Sequence, residues 1–383
     1  MIEPAAATDV RSLDEYMDEL RSAPAGPIGP VVIVSDSLPE RNGVGAYYYD
    51  LLRLLEDEGY EATLLCPSED RPTIFKFPLP GDATQRVWIP SLFRFRKVMR
   101  AVKPEAIVAA TPGPYGLLGA WWSRRLGAKF IVGFHTHFSG VTDVYSNRFL
   151  RAISRFYFNI ADKILFRTGD LVLANSESMV DLAKRLGARK VGVMGTLLPR
   201  DSLAEPSRQL EGDLRRVVFA GRLAPEKRLD TVIEAARQLP EIGFTIAGDG
   251  PLKKEVEQRA EELPNLEYVG WVARAELLAQ MDRADMLVLN SVVESFGTVA
   301  LEAMARGRLA LVSNTCGIVD WPDLVDNLYQ VADEETLAQA IRRVASLPAA
   351  ERAATASAAR AAALRLNRGS LLHWVDMLRS DEH

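Results

Sequence analysis

Short apolar runs alternate along this chain with longer stretches in which apolar positions recur at helical spacing, from Val31 almost to the C-terminus. In the first half VVIVS, EATLLC, AIVAA, KFIVGF and LVLAN read as strands. Between them NGVGAYYYDLLRLLEDEG, SLFRFRKVMRAV, GLLGAWWSRRLG and residues 147–167 read as helices. Strand and helix in regular succession predict a parallel sheet covered by helices on both faces. The alternation restarts at RRVVFA, residues 215–220, and continues to about Leu347. The fold class is therefore α/β, with two doubly wound, Rossmann-like parallel-sheet domains.

Flanking segments complete the division. Val10, Leu13, Met17 and Leu20 recur at helical spacing before the breaker stretch APAGPIGP, so residues 9–22 are expected to form an added helix. The polar run RDSLAEPSRQLEGD reads as a connector, and an alanine-rich tail leads into LLHWVDMLRS. The expected organisation is an N-terminal helical extension over 1–29, a first domain over 30–200, a linker over 201–213, a second domain over 214–365 and a C-terminal helix over 366–383.

Composition agrees. A chain of 383 residues is longer than one hydrophobic core usually supports, and 48% apolar with 25% charged residues is an ordinary globular balance. No apolar run approaches a membrane span, and the N-terminus is acidic where a signal peptide would be basic and then apolar, so a cytoplasmic location is expected. Cys66 and Cys316 fall in different expected domains, which argues against a disulfide framework or a thiolate metal site.

The candidate chemistry lies mainly in the second half. Glu294 and Glu302 stand on either side of SFGTVAL, the first at the turn after the apolar strand ADMLVLN and the second inside the helix that follows. The amides of Gly297, Thr298 and Val299 open that helix without intrahelical partners, and the helix dipole adds positive potential, so the turn is suited to an anion. Carboxylates on both sides of such a seat suit a nucleotide sugar, whose ribose and sugar hydroxyls flank the diphosphate. Upstream, GRLAPEKRLD places Arg222 and Lys227 on a strand-to-helix loop, where two cations can neutralise a diphosphate.

Four motifs in order, GRLAPEK, IAGDGPL, GWV and ESFGTVALEAMARG, resemble the donor half of the GT-B glycosyltransferases of family 4. The resemblance spans about residues 31–380 and implies that the two domains face each other across a cleft. It implies a retaining, metal-independent hexosyltransferase with no cofactor beyond its nucleotide-sugar co-substrate, a UDP-sugar ahead of a GDP-sugar. It assigns Glu302 to the ribose and Glu294 to the transferred sugar. Arg222, Lys227 and the amides of Gly297 and Thr298 after Phe296 fall to the diphosphate, and Val272 to the base through its backbone. The last helix is implied to cross back onto the first domain.

In the first half, NGVG at residues 42–45 lies between a strand and a helix, where glycine allows close backbone approach. Similar loops in the family close over the donor phosphate, which nominates Gly43. KFIVGF leads into HTHFSG; His135 and His137 have no nearby acid or cysteine to complete a metal set. The stretch resembles the loop of lipid-glycosylating members, the diacylglycerol glucosyltransferases and sulfoquinovosyl transferases, in which the first histidine lies beside the reacting sugar. That nominates His135 as a catalytic residue, with Glu294, Arg222 and Lys227.

Charge adds a clue about the acceptor. Residues 71–200 hold 21 basic against 7 acidic side chains, whereas residues 1–70 carry a net −11. Basic and aromatic residues interleave in SLFRFRKVMRAVK, WWSRR and NRFLRAISRFYF, a pattern suited to an anionic bilayer surface. The expected partners are a nucleotide-sugar donor, a lipid acceptor and an anionic membrane surface met through basic aromatic patches in residues 91–167. Nucleic acid is not expected, since no binding motif accompanies the charge and the chain is acidic overall. The expected function is transfer of a sugar to a diacylglycerol-type membrane lipid at the cytoplasmic face. The alternatives are the same donor chemistry on a soluble sugar or polysaccharide, and a catalytically silent subunit that binds a sugar nucleotide.

Overall fold

The computed structural model describes residues 28–39, 43–67, 76–79, 82–135, 148–174, 177–204, 206, 208–294 and 296–379, with backbone alone for 76–79, 82–87, 148–155 and 177–178. The expected helix over 9–22, together with Asn42 and His137, lies outside the described residues. The chain divides into two compact units, one ending at Leu197 and rejoined by the segment from Gly369, the other running from Leu198 to Arg368.

In the first unit the elements run β1 (Val31–Val34), α1 (Gly43–Asp57), β2 (Ala62–Leu65), β3 (Lys76–Leu79), β4 (Asp82–Trp88), α2 (Leu92–Val102), β5 (Ala106–Ala109), α3 (Pro114–Leu126), β6 (Lys129–Phe134), α4 (Arg148–Thr168), β7 (Leu171–Ala174), α5 (Glu177–Arg185) and β8 (Val191–Val193). Six strands form a parallel sheet in the order β2-β1-β5-β6-β7-β8. The order reverses between β1 and β5, and right-handed crossovers then put α1 on one face and α2 to α5 on the other. Strands β1, β5 and β7 are buried throughout, as their unbroken Val, Ile, Leu and Ala runs require of a sheet covered on both faces. The antiparallel hairpin β3–β4 has no counterpart in the sequence reading, because neither KFPL nor DATQRVW carries an apolar run and each strand is specified by its partner.

Helix α2 is closed at both ends. The Ser91 hydroxyl accepts from the Arg94 N–H at 3.4 Å, and Lys103 in the left-handed region donates its N–H to the Met99 carbonyl. Phe95 and Met99 enter the core, while Leu92 and Phe93 are 67% and 81% exposed. No helix among the described residues is long and apolar enough to cross a membrane.

The second unit continues with α6 (Arg200–Leu203), β9 (Arg216–Ala220), α7 (Leu229–Gln238), β10 (Gly243–Ala247), α8 (Lys253–Glu262), β11 (Leu266–Gly270), α9 (Arg274–Arg283), β12 (Met286–Leu289), α10 (Thr298–Ala305), β13 (Leu309–Ser313), α11 (Pro322–Val325), β14 (Tyr329–Val331) and α12 (Leu337–Ala345). Its sheet is also parallel and six-stranded, in the order β11-β10-β9-β12-β13-β14. The polar run 201–213, read above as a linker, is held on this unit. Arg306 donates to the carbonyl of Ala204 and pairs with Asp282, Arg308 donates to the carbonyl of Arg208, and Arg208 pairs with Asp285. Arg308 is fully buried, and these carbonyls supply partners that a buried guanidinium needs.

The long helix α13 (Ala349–Leu378) closes the chain, and its residues from Gly369 belong to the first unit. There the Trp374 indole donates to Tyr47 Oη at 2.8 Å, and Lys129 Nζ reaches the Arg379 carbonyl at 2.6 Å.

Candidate active site

In an open parallel sheet the crevice for a ligand lies beyond the carboxyl ends of the strands where the order reverses. In the second unit that point lies between β9 and β12, and the loops leaving those two strands carry GRLAPEK and NSVVESFG. The two loops are bonded to each other: the Val292 N–H donates to the Glu226 carbonyl at 2.8 Å, and Lys227 Nζ donates to Glu294 Oε2. Both side chains of that ion pair are largely buried. Arg222 is exposed and has no ion-pair partner among the described residues, so its guanidinium is available to an anion.

Glycine is required twice here. Gly250 of the GDGP turn lies so close to Leu223 that a Cβ would sit 2.5 Å from the Leu223 carbonyl oxygen. The Leu223 and Leu252 N–H groups tie the GRL and GDGPL turns together at 3.0 Å. Gly297 caps α10 at φ 92°, and a Cβ there would meet Cys316 Sγ at 2.7 Å. Cys316 packs behind the turn, its thiol donating to the Phe296 carbonyl at 3.3 Å; burial pushes that thiol up to about 12, so it is uncharged. The Phe296 ring packs edge-on against Trp321 at 5.6 Å, and the Gly317 N–H fixes the Glu294 carbonyl at 3.0 Å.

Helix α10 begins at Thr298 with Gly297 as its cap, so the N–H groups of its first turn have no intrahelical partner. Glu302 follows on α10 and is only 7% exposed. Val272 is half-buried in the loop after β11, just past Gly270, whose carbonyl accepts from the Gly248 N–H at 2.8 Å. The structure thus gathers Arg222, Lys227, Glu294, Phe296, Gly297 and Thr298 at one strand edge. Val272 joins them through the GDGP turn, and Glu302 stands one turn into the helix.

The first unit reverses order between β1 and β5, and the equivalent edge is acidic. Asp36, after β1, accepts from Thr111 Oγ1 at 2.7 Å and from the Tyr115 N–H at 3.0 Å, bridging the loops after β1 and β5. Burial outweighs those bonds and pushes its carboxyl up to about 6. His135, at the end of β6, lies with Nε2 3.1 Å from Tyr48 Oη and edge-on to the Tyr47 and Tyr48 rings. Burial pushes the imidazole down to about 4, so it is neutral at physiological pH. Gly43 opens α1 and is exposed, and its neighbour Val44 lines a small pocket together with His135.

Two chain segments match family models, "Glycosyltransferase Family 4" over residues 41–195 and "Glycosyl transferases group 1" over residues 203–362. This chain belongs to glycosyltransferase family 4. It is a glycosyltransferase of the GT-B fold. A sulfoquinovosyl transferase of Arabidopsis thaliana is 26% identical over 71% of the chain and 57% of its own length. A GDP-mannose-dependent alpha-(1-6)-phosphatidylinositol dimannoside mannosyltransferase of Mycobacterium tuberculosis is 27% identical over 66% of the chain and 68% of its own length. Among solved structures, HepE of Anabaena in complex with UDP-glucose matches with a TM-score of 0.63 at 18% identity, over 90% of this chain and 98% of that one.

Asp162 escaped the sequence reading. It occupies the buried stripe of α4 with Phe158, Ala161, Leu165 and Phe166, and an acid within an apolar helical stripe was the available signal.

Proposed function

We propose that this glycosyltransferase moves a sugar from a UDP-sugar to a membrane lipid of the diacylglycerol type, with retention and without a metal. In this reading Arg222, Lys227 and the amides of Gly297 and Thr298 hold the diphosphate. Glu302 takes the ribose, Glu294 the transferred sugar and Val272 the base, and the first unit contributes Gly43 and His135. The acceptor oxygen bonds to the anomeric carbon on the face from which the phosphate departs, the carbon–phosphate oxygen bond breaks, and the acceptor proton passes to the departing phosphate. Rate then comes from orientation and from stabilising leaving-group charge, with no protein nucleophile.

The lipid reading is carried by the outer face of α2. Leu92 and Phe93 project at its start, and Arg96, Lys97 and Arg100 continue along the same exposed side one and two turns on. An apolar tip followed by a basic row suits insertion at an anionic interface. On the same face of the sheet, α3 exposes Trp121 with Arg125 stacked over its ring at 5.5 Å, and α4 exposes Phe156, Ile160 and Ile164. The similarity to enzymes named for sulfoquinovosyl and phosphatidylinositol mannoside transfer supports the same choice.

Two measurements test this. UDP and GDP are compared by thermal shift; the preferred nucleotide at 100 times its dissociation constant should stabilise the protein by about 2.7 kcal/mol. Transfer from UDP-glucose is then measured to dioctanoylglycerol and to methyl α-glucoside. Preference for GDP overturns the donor choice, and preference for the glucoside moves the enzyme to soluble acceptors.

A further inference from the structure

Asp162 is 2% exposed, and its Oδ2 has no hydrogen-bond partner among the described residues. A buried carboxyl left in this state costs free energy in every form: desolvation penalises the ion, and the acid lacks an acceptor for its proton. Packing does not call for it, since the other buried positions of the α4 stripe are apolar. The side chain instead helps line the small pocket at the carboxyl edge of the first sheet. Val44 at the start of α1, Thr111 and Pro112 after β5, and His135 after β6 also line it, and the rest of the wall is apolar side chains and backbone from the ends of β5 and β6 and from α4. This is the edge where the strand order reverses, the position at which such sheets take ligands.

The chemistry of the walls selects the ligand. No lysine or arginine lines the pocket among the described residues, and the imidazole is neutral. Asp36 stands one hydrogen bond behind the wall, through Thr111. A phosphate or carboxylate placed here would meet carboxyl groups and no counter-charge, so an anion is excluded. Burial pushes Asp162 up to about 7, so near neutral pH its carboxyl is populated both as donor and as acceptor. An alcohol hydroxyl is likewise a donor and an acceptor, and it carries no charge.

We infer that this pocket binds a neutral, hydroxyl-bearing part of the acceptor, with Asp162 as the group that hydrogen-bonds the hydroxyl and His135 beside it. The inference rests on the first unit binding the acceptor, and it holds for a lipid or a soluble sugar alike. It implies that acceptors carrying a phosphate next to the hydroxyl bound here are poor substrates.

The test uses the full chain with two variants, Asp162→Asn, which keeps a polar group of the same shape, and Asp162→Leu, which removes it. Crystals are soaked in glycerol as the neutral probe and in inorganic phosphate as the anionic one. A glycerol hydroxyl within hydrogen-bond distance of the Asp162 carboxyl in wild type, absent in the leucine variant, is the expected result. An empty wild-type pocket, phosphate in it, or glycerol bound equally in the leucine variant, which would mark an adventitious additive only, overturns the inference. In solution, transfer from UDP-glucose is measured to dioctanoylglycerol, dioctanoylphosphatidylinositol and methyl α-glucoside. The KM for the accepted neutral substrate should rise about tenfold or more in Asp162→Leu and less in Asp162→Asn, while the UDP dissociation constant stays within twofold. An unchanged acceptor KM in both folded variants, or preference of wild type for the phosphatidylinositol, overturns it. Transfer to the glucoside alone, with the same dependence on Asp162, removes the lipid reading and leaves the pocket assignment standing.

Discussion

Lys227 Nζ donates to Glu294 Oε2 and so joins the loop after β9 to the loop after β12 across the point where the second sheet reverses order. The two lie 67 positions apart in the chain, and the backbone bond from Val292 to Glu226 holds the same two loops together. In the proposed reading a diphosphate would compete with the Glu294 carboxylate for this ammonium, while Arg222, on the same loop after β9, has no ion-pair partner among the described residues.

Glu294→Gln therefore frees Lys227 from its counter-charge without removing a polar side chain. UDP should bind this variant at least as tightly as wild type, and transfer should fall. Calorimetry with UDP decides; a loss of affinity would mean that the carboxylate orients Lys227 for the phosphate and does not compete for it.

Removal of either cation has the opposite character. Lys227→Ala or Arg222→Ala should each lower turnover roughly 10²-fold or more, the effect expected when a preorganised group facing leaving-group charge is lost. Circular dichroism should be unchanged. Near-normal rates in both would remove the diphosphate assignment.

Glu302 and Glu294 are separated by the turn and first helical residues of one motif and should report on different parts of the donor. Glu302→Ala is expected to weaken UDP, the fragment that contains the ribose, whereas Glu294→Ala should chiefly reduce transfer. Equal UDP affinity in the two variants would contradict the ribose role.

Membrane attachment should follow the exposed side of α2 and not its buried side. Each basic residue near an anionic surface contributes about 1 kcal/mol, so replacing Arg94, Arg96, Lys97 and Arg100 together by Ser should abolish flotation with anionic liposomes at low salt. Phe93→Ser should weaken it while leaving the melting temperature nearly unchanged. Phe95→Ala, by contrast, should cost about 3–5 kcal/mol of stability, because that ring is in the core. Flotation that ignores lipid charge and all these exposed-side changes would refute the electrostatic account.

A stability difference should expose the Asp162 carboxyl. Its folded value of about 7 lies above the ordinary 3.8, so the native state binds more protons between about pH 4 and pH 7, and stability is lost as pH rises through that window. Asp36, raised to about 6, acts in the same direction, while His135, lowered to about 4, loses stability as pH falls from about 6.5. Comparing Asp162→Asn with wild type cancels those two. The variant should melt several degrees higher at pH 8, and the gap should close by pH 4; a gap independent of pH would place the cost elsewhere than in ionisation.

The sequence by itself determined the two parallel sheets and the donor-side loops. Buried parallel strands must be continuous apolar runs, and a helix that opens on a left-handed turn needs its glycine at that position, so both are written in neighbouring residues such as Val217 to Ala220 and Glu294 to Thr298. Tertiary structure alone decided what depends on distant partners. The β3–β4 hairpin is specified by strand pairing and not by an apolar run. Phe93 and Phe95, alike in SLFRFRK, lie on opposite sides of α2, and packing against the sheet decides that Phe95 enters the core while Phe93 meets solvent. Lys227 finds Glu294, and Asp162 Oδ2 finds no hydrogen-bond partner among the described residues, because the order of strands brings some side chains together and closes others away from water. No local pattern encodes that order.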